Sequence, residues 1–145
     1  MSLFFVDCEA EMGVGAPSVG DMTCFGAVCF DNNNVFYGED CSEKTFTEFN
    51  DWIKENNIKG RPTFISDNPA YDWQWINFYF WKYQGSNPFG HSARRIGDYW
   101  AGLTNNFYDT TSWKKHRITK HDHHPVHDAL GNVEAVKYMF EYRKL

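Results

Sequence analysis

Closely paired cysteines are lacking here, and the spacing of those present suits neither metal nor disulfide chemistry. Cys8, Cys24, Cys29 and Cys41 form no Cys-x-x-Cys pair, and Cys24 and Cys29 lie in a strongly apolar stretch. Reduced, buried thiols are the expectation. Long apolar runs are missing as well. The N-terminal one, Leu3 to Val6, is four residues long and has no basic segment before it, too little for a signal peptide or a membrane span. A soluble, cytoplasmic protein with no membrane partner is expected. Positive charge is in deficit, with 14 Lys and Arg against 19 Asp and Glu, a net charge of −5 and a pI near 5.6. That balance argues against a protein that coats nucleic acid by general electrostatics. It leaves room for an enzyme that holds a short piece of nucleic acid through metal ions.

No repeat, low-complexity tract or linker divides the chain, and 145 residues is close to the usual size of one domain, so residues 1–145 read as one. Aromatic residues are plentiful at 19%, more than a minimal core needs, which points to a binding surface as well as an interior.

Leu3 to Val6, ending in Asp7-Cys8-Glu9, reads as a buried strand with carboxylates at its C-terminal end. Met22 to Phe30 reads as a second strand, and Asp31 to Asn34 as the turn into a third around Val35 to Tyr37. Thr45-Phe-Thr-Glu48 has the form of a capping box, with Phe46, Phe49 and Ile53 at helical spacing, which predicts a helix to about Asn56. Thr63 to Ser66 is a short strand, Pro69 to about Gln84 a helix, and Ser92 to Leu103 a further segment with helical spacing. Residues 104–122 lack periodicity and carry Lys114, Lys115, Arg117 and Lys120, so a long basic loop is expected. Pro125 to Arg143 is the last helix, with Val126, Leu130, Val133 and Phe140 as its buried stripe. The sum is an α/β domain on a mixed sheet.

Asp7 and Glu9 share one face of their strand, about 7 Å apart along it, a separation at which two carboxylates can share divalent cations. Acidic strand ends are common, so the pair alone decides nothing. Asn68-Pro-Ala-Tyr-Asp72 and His124-Pro-Val-His-Asp128 repeat one local design, an N-cap residue, proline at the first helical position and an aspartate one turn in. An acidic residue there also simply complements the helix dipole. Beside Asp128, the small flank Gly131, Asn132 and Ala135 is expected to let the helix approach the sheet. Four carboxylates gathered in one place would repel each other unless hard cations such as Mg²⁺ or Mn²⁺ neutralised them. His121, His123, His124 and His127 fall within seven residues, which also raises a zinc site.

In order, Phe5-Val-Asp7-Cys-Glu9, Asp67-Asn-Pro-Ala-Tyr-Asp72-Trp73 and His123-His-Pro-Val-His-Asp128-Ala129 resemble the three motifs of the DEDD exonucleases, in the subclass with His-x-x-x-x-Asp. Ser92 to Leu103 and Gly131 to Ala135 are similar to segments of small ribonuclease T-like 3′ exoribonucleases. The resemblance implies a ribonuclease H-like mixed sheet of about five strands flanked by helices. It further implies 3′-5′ exonuclease activity on single-stranded RNA or DNA, RNA favoured, and homodimers are frequent in such a group. Two divalent cations, Mg²⁺ or Mn²⁺, would be held by Asp7, Glu9, Asp72 and Asp128 and flank the reacting phosphate roughly 3.5–4 Å apart, with His123 as general base. A second frame, His127 to Asn132, is set aside because asparagine is not an anionic ligand. Ala10 and Glu11 stand where threonines are common.

Met12 and Trp73 are candidates to hold the terminal nucleotide by stacking, although Trp73 reads equally well as core. Asn68, Arg94 and Arg95 are further candidates for substrate contact, and the basic loop offers a guide for the strand. Two other readings stand beside this one. A zinc-binding hydrolase or module would use the histidine cluster, although no His-Glu-x-x-His is present and no cysteine is close in sequence. A non-catalytic nucleic-acid-binding domain on the same fold is the other.

Overall fold

Strand β1 (Leu3–Ala10) forms the middle of a five-stranded sheet in the computed structural model, which describes residues 2–145. On one side it pairs antiparallel with β2 (Met22–Cys29), which pairs antiparallel with β3 (Val35–Gly38). On the other it pairs in parallel with β4 (Thr63–Ser66), and β4 with β5 (Ala93–Arg95). Four α-helices flank the sheet: α1 (Glu43–Asn56), α2 (Pro69–Gln84), α3 (Ile96–Leu103) and α4 (Pro125–Tyr142). This is an α/β fold with a mixed sheet, consistent with a ribonuclease H-like exonuclease domain.

Side-chain alternation along β1 divides the interior in two. Phe4, Val6 and Cys8 pack with Phe46 and Phe49 of α1 and with Trp75, Tyr79 and Phe80 of α2. Leu3 and Phe5 point to the opposite face, against Ile96 and Trp100 of α3 and Ala129, Val133 and Val136 of α4. Asp7 and Glu9 continue this second series, so they face α4. The parallel register with β4 covers only Leu3 to Phe5. Beyond it, one edge of β1 has no neighbouring strand, and that edge is where α2 brings in Asp72.

Several local expectations shift. The cap of α1 is Ser42, whose side chain accepts from the Thr45 amide, so the helix starts before the Thr45–Glu48 box. Ser92 to Leu103 is not one helix: Ala93–Arg95 adds β5 to the sheet edge before α3 begins. Three residues are too few to show a period. The loop 104–122 contains a 3₁₀ turn (Ser112–His116) with Trp113 fully buried, and burying a large apolar side chain stabilises by roughly 1.5–3 kcal/mol. Leu130 and Phe140 of the expected α4 stripe are only half-buried, while Ala129, Val133, Val136 and Met139 are inside. The cysteines are free; Cys8 and Cys29 are buried, Cys24 and Cys41 half-buried.

Candidate active site

Asp7 lies at the centre of the carboxylate group, and glycine across the sheet makes room for its neighbours. Gly26 is its cross-strand partner on β2. A Cβ on Gly26 would stand 2.5 Å from the Val126 nitrogen and 2.6 Å from the Pro125 carbonyl carbon. The start of α4 therefore rests directly on β2 beside Asp7, and Asp128 arrives one turn later, 3% exposed. Ligand oxygens of Asp7, Glu9 and Asp128 lie within 4.8 Å of one another. The small flank of α4 serves another contact than expected. Gly131 faces Thr119 O, where a Cβ would be at 3.3 Å, and Asn132 Oδ1 accepts from Arg117. The close approach to the sheet is made at Gly26.

Asp72 comes from the other face. Its Oδ1 accepts from the Cys8 amide at 2.9 Å, on the bare edge of β1 between Asp7 and Glu9. The two Pro-initiated helix starts differ in detail. Asn68 makes no side-chain cap, whereas His124 Nδ1 accepts from Val126 N at 3.3 Å.

The electrostatics are those of crowded anions with too little water. Burial, with Asp72, Asp128, Glu9 and Asp67 adding to it, pushes the Asp7 carboxyl from 3.8 up to about 9. Burial also drives Asp72 from 3.8 to about 7, against the pull of the Cys8 amide. Glu9 is raised by burial and then by Asp128, while His123 and His121 pull it back down. Asp7 Oδ2 is buried without a hydrogen-bond partner, and Asp128 Oδ1, also buried, meets only the ring of His121. A buried oxygen left unpaired costs about 1–3 kcal/mol, more when charged. Carboxylate oxygens that converge in this way fit a hard divalent cation.

His123 sits beside this group on an exposed loop with φ +63, a left-handed conformation that costs a non-glycine residue about 1–3 kcal/mol. Asp122 holds that turn, accepting from the His124 amide at 3.0 Å and contacting the His127 ring at 2.8 Å. His127 and His124 stack on each other, and His124 lies on Tyr37. Those two histidines are thereby engaged in local structure. His121 Nδ1 lies 2.8 Å from Asp128 Oδ1, and its ring packs edge-on to His123.

The basic loop turns out to be largely a brace. Asp67, next to Ser66 at the end of β4, holds Lys114 at 2.7 Å and Arg117 at 3.7 Å. Glu134 of α4 accepts from the Ile118 and Thr119 amides. These contacts tie the segment preceding His121 and His123 to β4 and α4. Only Lys115 and Lys120 of its basic residues remain exposed.

The remaining candidates divide. Met12 is fully exposed just beyond β1, and Asn68 is exposed at the start of α2. Trp73 is half-buried, edge-on to Phe64 at 5.2 Å, yet also lines an open groove with Pro17, Phe78, Trp81 and Lys82. Trp73 thus packs against the core while part of its ring is left at that groove. Arg94 and Arg95 stand apart from the carboxylates, around a different concavity lined by Leu3, Ile65, Tyr99 and Phe140, and Arg95 pairs with Asp98 at 3.0 Å. Gly26, Asp67, Arg117 and the His121 contact were not foreseen. Their only sequence signal was small or charged residues at positions whose partners are far along the chain.

Among the described residues no helix is long and apolar enough to cross a membrane. No protein-family model matches the chain. It is similar to the 3′-5′ DNA exonuclease Cap18 of Escherichia coli, 34% identical over 96 residues, which is 64% of this chain and 51% of that protein. The chain thus spans about half the length of the curated relative it matches, and the similarity supports an exonuclease relationship.

Proposed function

We propose that the chain is a metal-dependent 3′-5′ exonuclease acting on single-stranded nucleic acid. The observation that carries this reading is the buried, unpartnered Asp7 Oδ2 among Glu9, Asp128 and Asp72. A fold does not need such an arrangement for its own stability. Asp7, Glu9, Asp72 and Asp128 would hold Mg²⁺ or Mn²⁺, which when bound supply charge neutralisation at the scissile phosphate and its leaving oxygen.

The protein groups do the rest. A ring nitrogen of His123 takes a proton from the water that attacks the terminal phosphodiester, the general-base role that imidazole fills most often. The P–O3′ bond breaks, releasing a nucleoside 5′-monophosphate and leaving a strand one residue shorter with a 3′ hydroxyl. Asp122 and the Asp67–Arg117–Asn132 brace position the loop that carries His123. Met12, Asn68 and Trp73, near Glu9 and Asp72 in the chain, would contact the terminal nucleotide. Arg94 and Arg95, which line a separate concavity, have no role in this reading.

The resemblance to ribonuclease T-like enzymes favours RNA, but the comparison favours DNA, because the similar protein carries that substrate in its name. We therefore take single-stranded DNA as the preferred substrate. The test is incubation of 5′-labelled single-stranded DNA and RNA with Mg²⁺ or Mn²⁺, beside Asp7→Ala and His123→Ala. Stepwise shortening from the 3′ end, faster on DNA and lost in both variants, is expected. Equal activity in the variants would refute the site, and faster RNA shortening would reverse the substrate.

A further inference from the structure

We infer that His121, His123 and Asp128 form a second metal site, one that takes Zn²⁺ and switches the proposed exonuclease off. One donor atom from each of the three lies within 4.8 Å of the others. Asp128 is only 3% exposed, and its Oδ1 faces the histidines. His121 Nδ1 already stands 2.8 Å from that oxygen. Both imidazoles are exposed, so an ion can enter from solvent and the rings can turn to meet it.

The donor chemistry separates this site from the carboxylate one. Two imidazoles and one carboxylate suit Zn²⁺, commonly bound by three protein ligands and a water, whereas Mg²⁺ prefers oxygen alone. Asp7, Glu9 and Asp128 offer only oxygen. Asp128 belongs to both groups, so Zn²⁺ on the histidine side competes for a ligand of the carboxylate side. It also occupies the His123 lone pair that must be open to accept a proton. His121 takes no proton in the proposed hydrolysis; its contact there is with Asp128. The inhibitory consequence rests on the exonuclease reading; the binding does not.

The test is Zn²⁺ affinity of the purified chain in excess Mg²⁺, measured by competition with a chromophoric chelator. One Zn²⁺ per chain is expected. An outer partner of a metal ligand alone is worth roughly 10–100-fold in affinity, so His121→Ala and His123→Ala should each weaken binding by at least about tenfold. Asp7→Asn should keep the site, because it lies outside the zinc ligands. Retention in His121→Ala with loss in Asp7→Asn would place zinc among the carboxylates and overturn the inference, as would no binding at all. In the nuclease assay at saturating Mg²⁺, with inhibition read relative to each protein's own rate without Zn²⁺, His121→Ala should need at least about tenfold more Zn²⁺ for half-inhibition. Inhibition at the wild-type concentration would overturn the switch. A chain that binds Zn²⁺ through these residues but degrades no oligonucleotide would refute the exonuclease reading and leave the zinc site standing.

Discussion

Replacing Gly26 with alanine tests how the site is assembled without touching any acidic residue. The new Cβ would lie 2.5 Å from the Val126 nitrogen, whereas ordinary contact begins at 3.4 Å, so the start of α4 must retreat by about 0.9 Å. The obstructing atoms are backbone, and no side chain can rotate out of the way. Overpacking of this kind costs roughly 1–3 kcal/mol, which for a chain of this size lowers Tm by roughly 3–10 °C. Activity should suffer more than stability. Asp128 rides on the displaced turn, and a misplacement of about 1 Å at a catalytic constellation can cost about 100-fold. Gly102→Ala is the control, since nothing lies within 4 Å of its Cβ; it should be neutral or slightly stabilising. The assays are thermal unfolding and Mg²⁺-dependent shortening at a temperature where both variants are folded. A folded Gly26→Ala with an unchanged rate would refute the claim that this close approach places Asp128.

Other consequences follow from the same geometry. Without divalent ions, Asp7 and Asp72 keep protons up to about pH 9 and about pH 7, although both release them near 3.8 when unfolded. Their contribution to stability is therefore full below that value and falls as pH rises through the folded values. Metal-free Tm should drop between about pH 4 and pH 9, less steeply in Asp7→Asn, and Mg²⁺ at alkaline pH should raise Tm in the wild type but not in that variant. A flat metal-free profile would contradict the burial of Asp7. Arg117→Ala strips Asn132 of its donors and leaves a buried polar group unpaired, so a loss of about 1–3 kcal/mol in denaturant unfolding is expected. Lys115→Ala with Lys120→Ala should leave stability unchanged, raise KM and flatten its dependence on salt; unchanged kinetics would remove the loop from the substrate path. Trp73→Ala should weaken single-strand binding by about 1–3 kcal/mol if a base stacks there, as read from fluorescence anisotropy.

The legible part of this protein was whatever a short window encodes. Asp7-x-Glu9 at a strand end, proline at the start of α2 and α4, and apolar spacing in α1 all carry their message within a few residues. The sheet followed from them, apart from β5, whose Ala93–Arg95 is too short to declare a period. The illegible part consists of pairs set by the fold. Gly26 meets Val126 a hundred residues later, and nothing around Gly26 signals that a helix will rest on it. Arg117 and Lys114 look like a solvated basic loop until Asp67 and Asn132 are seen to hold them. His121 looked like any other histidine of its cluster, and only the position of Asp128 sets it apart.

The claim at the centre of this account is that the carboxylates around Asp7 are buried together in order to hold cations. Anomalous diffraction from crystals soaked in Mn²⁺ tests it most directly. The account predicts Mn²⁺ peaks within bonding distance of Asp7, Glu9 and Asp128 in the wild type, and their loss in Asp7→Asn. Occupied Mn²⁺ sites elsewhere with none beside Asp7, in crystals of protein that shortens DNA, would contradict it.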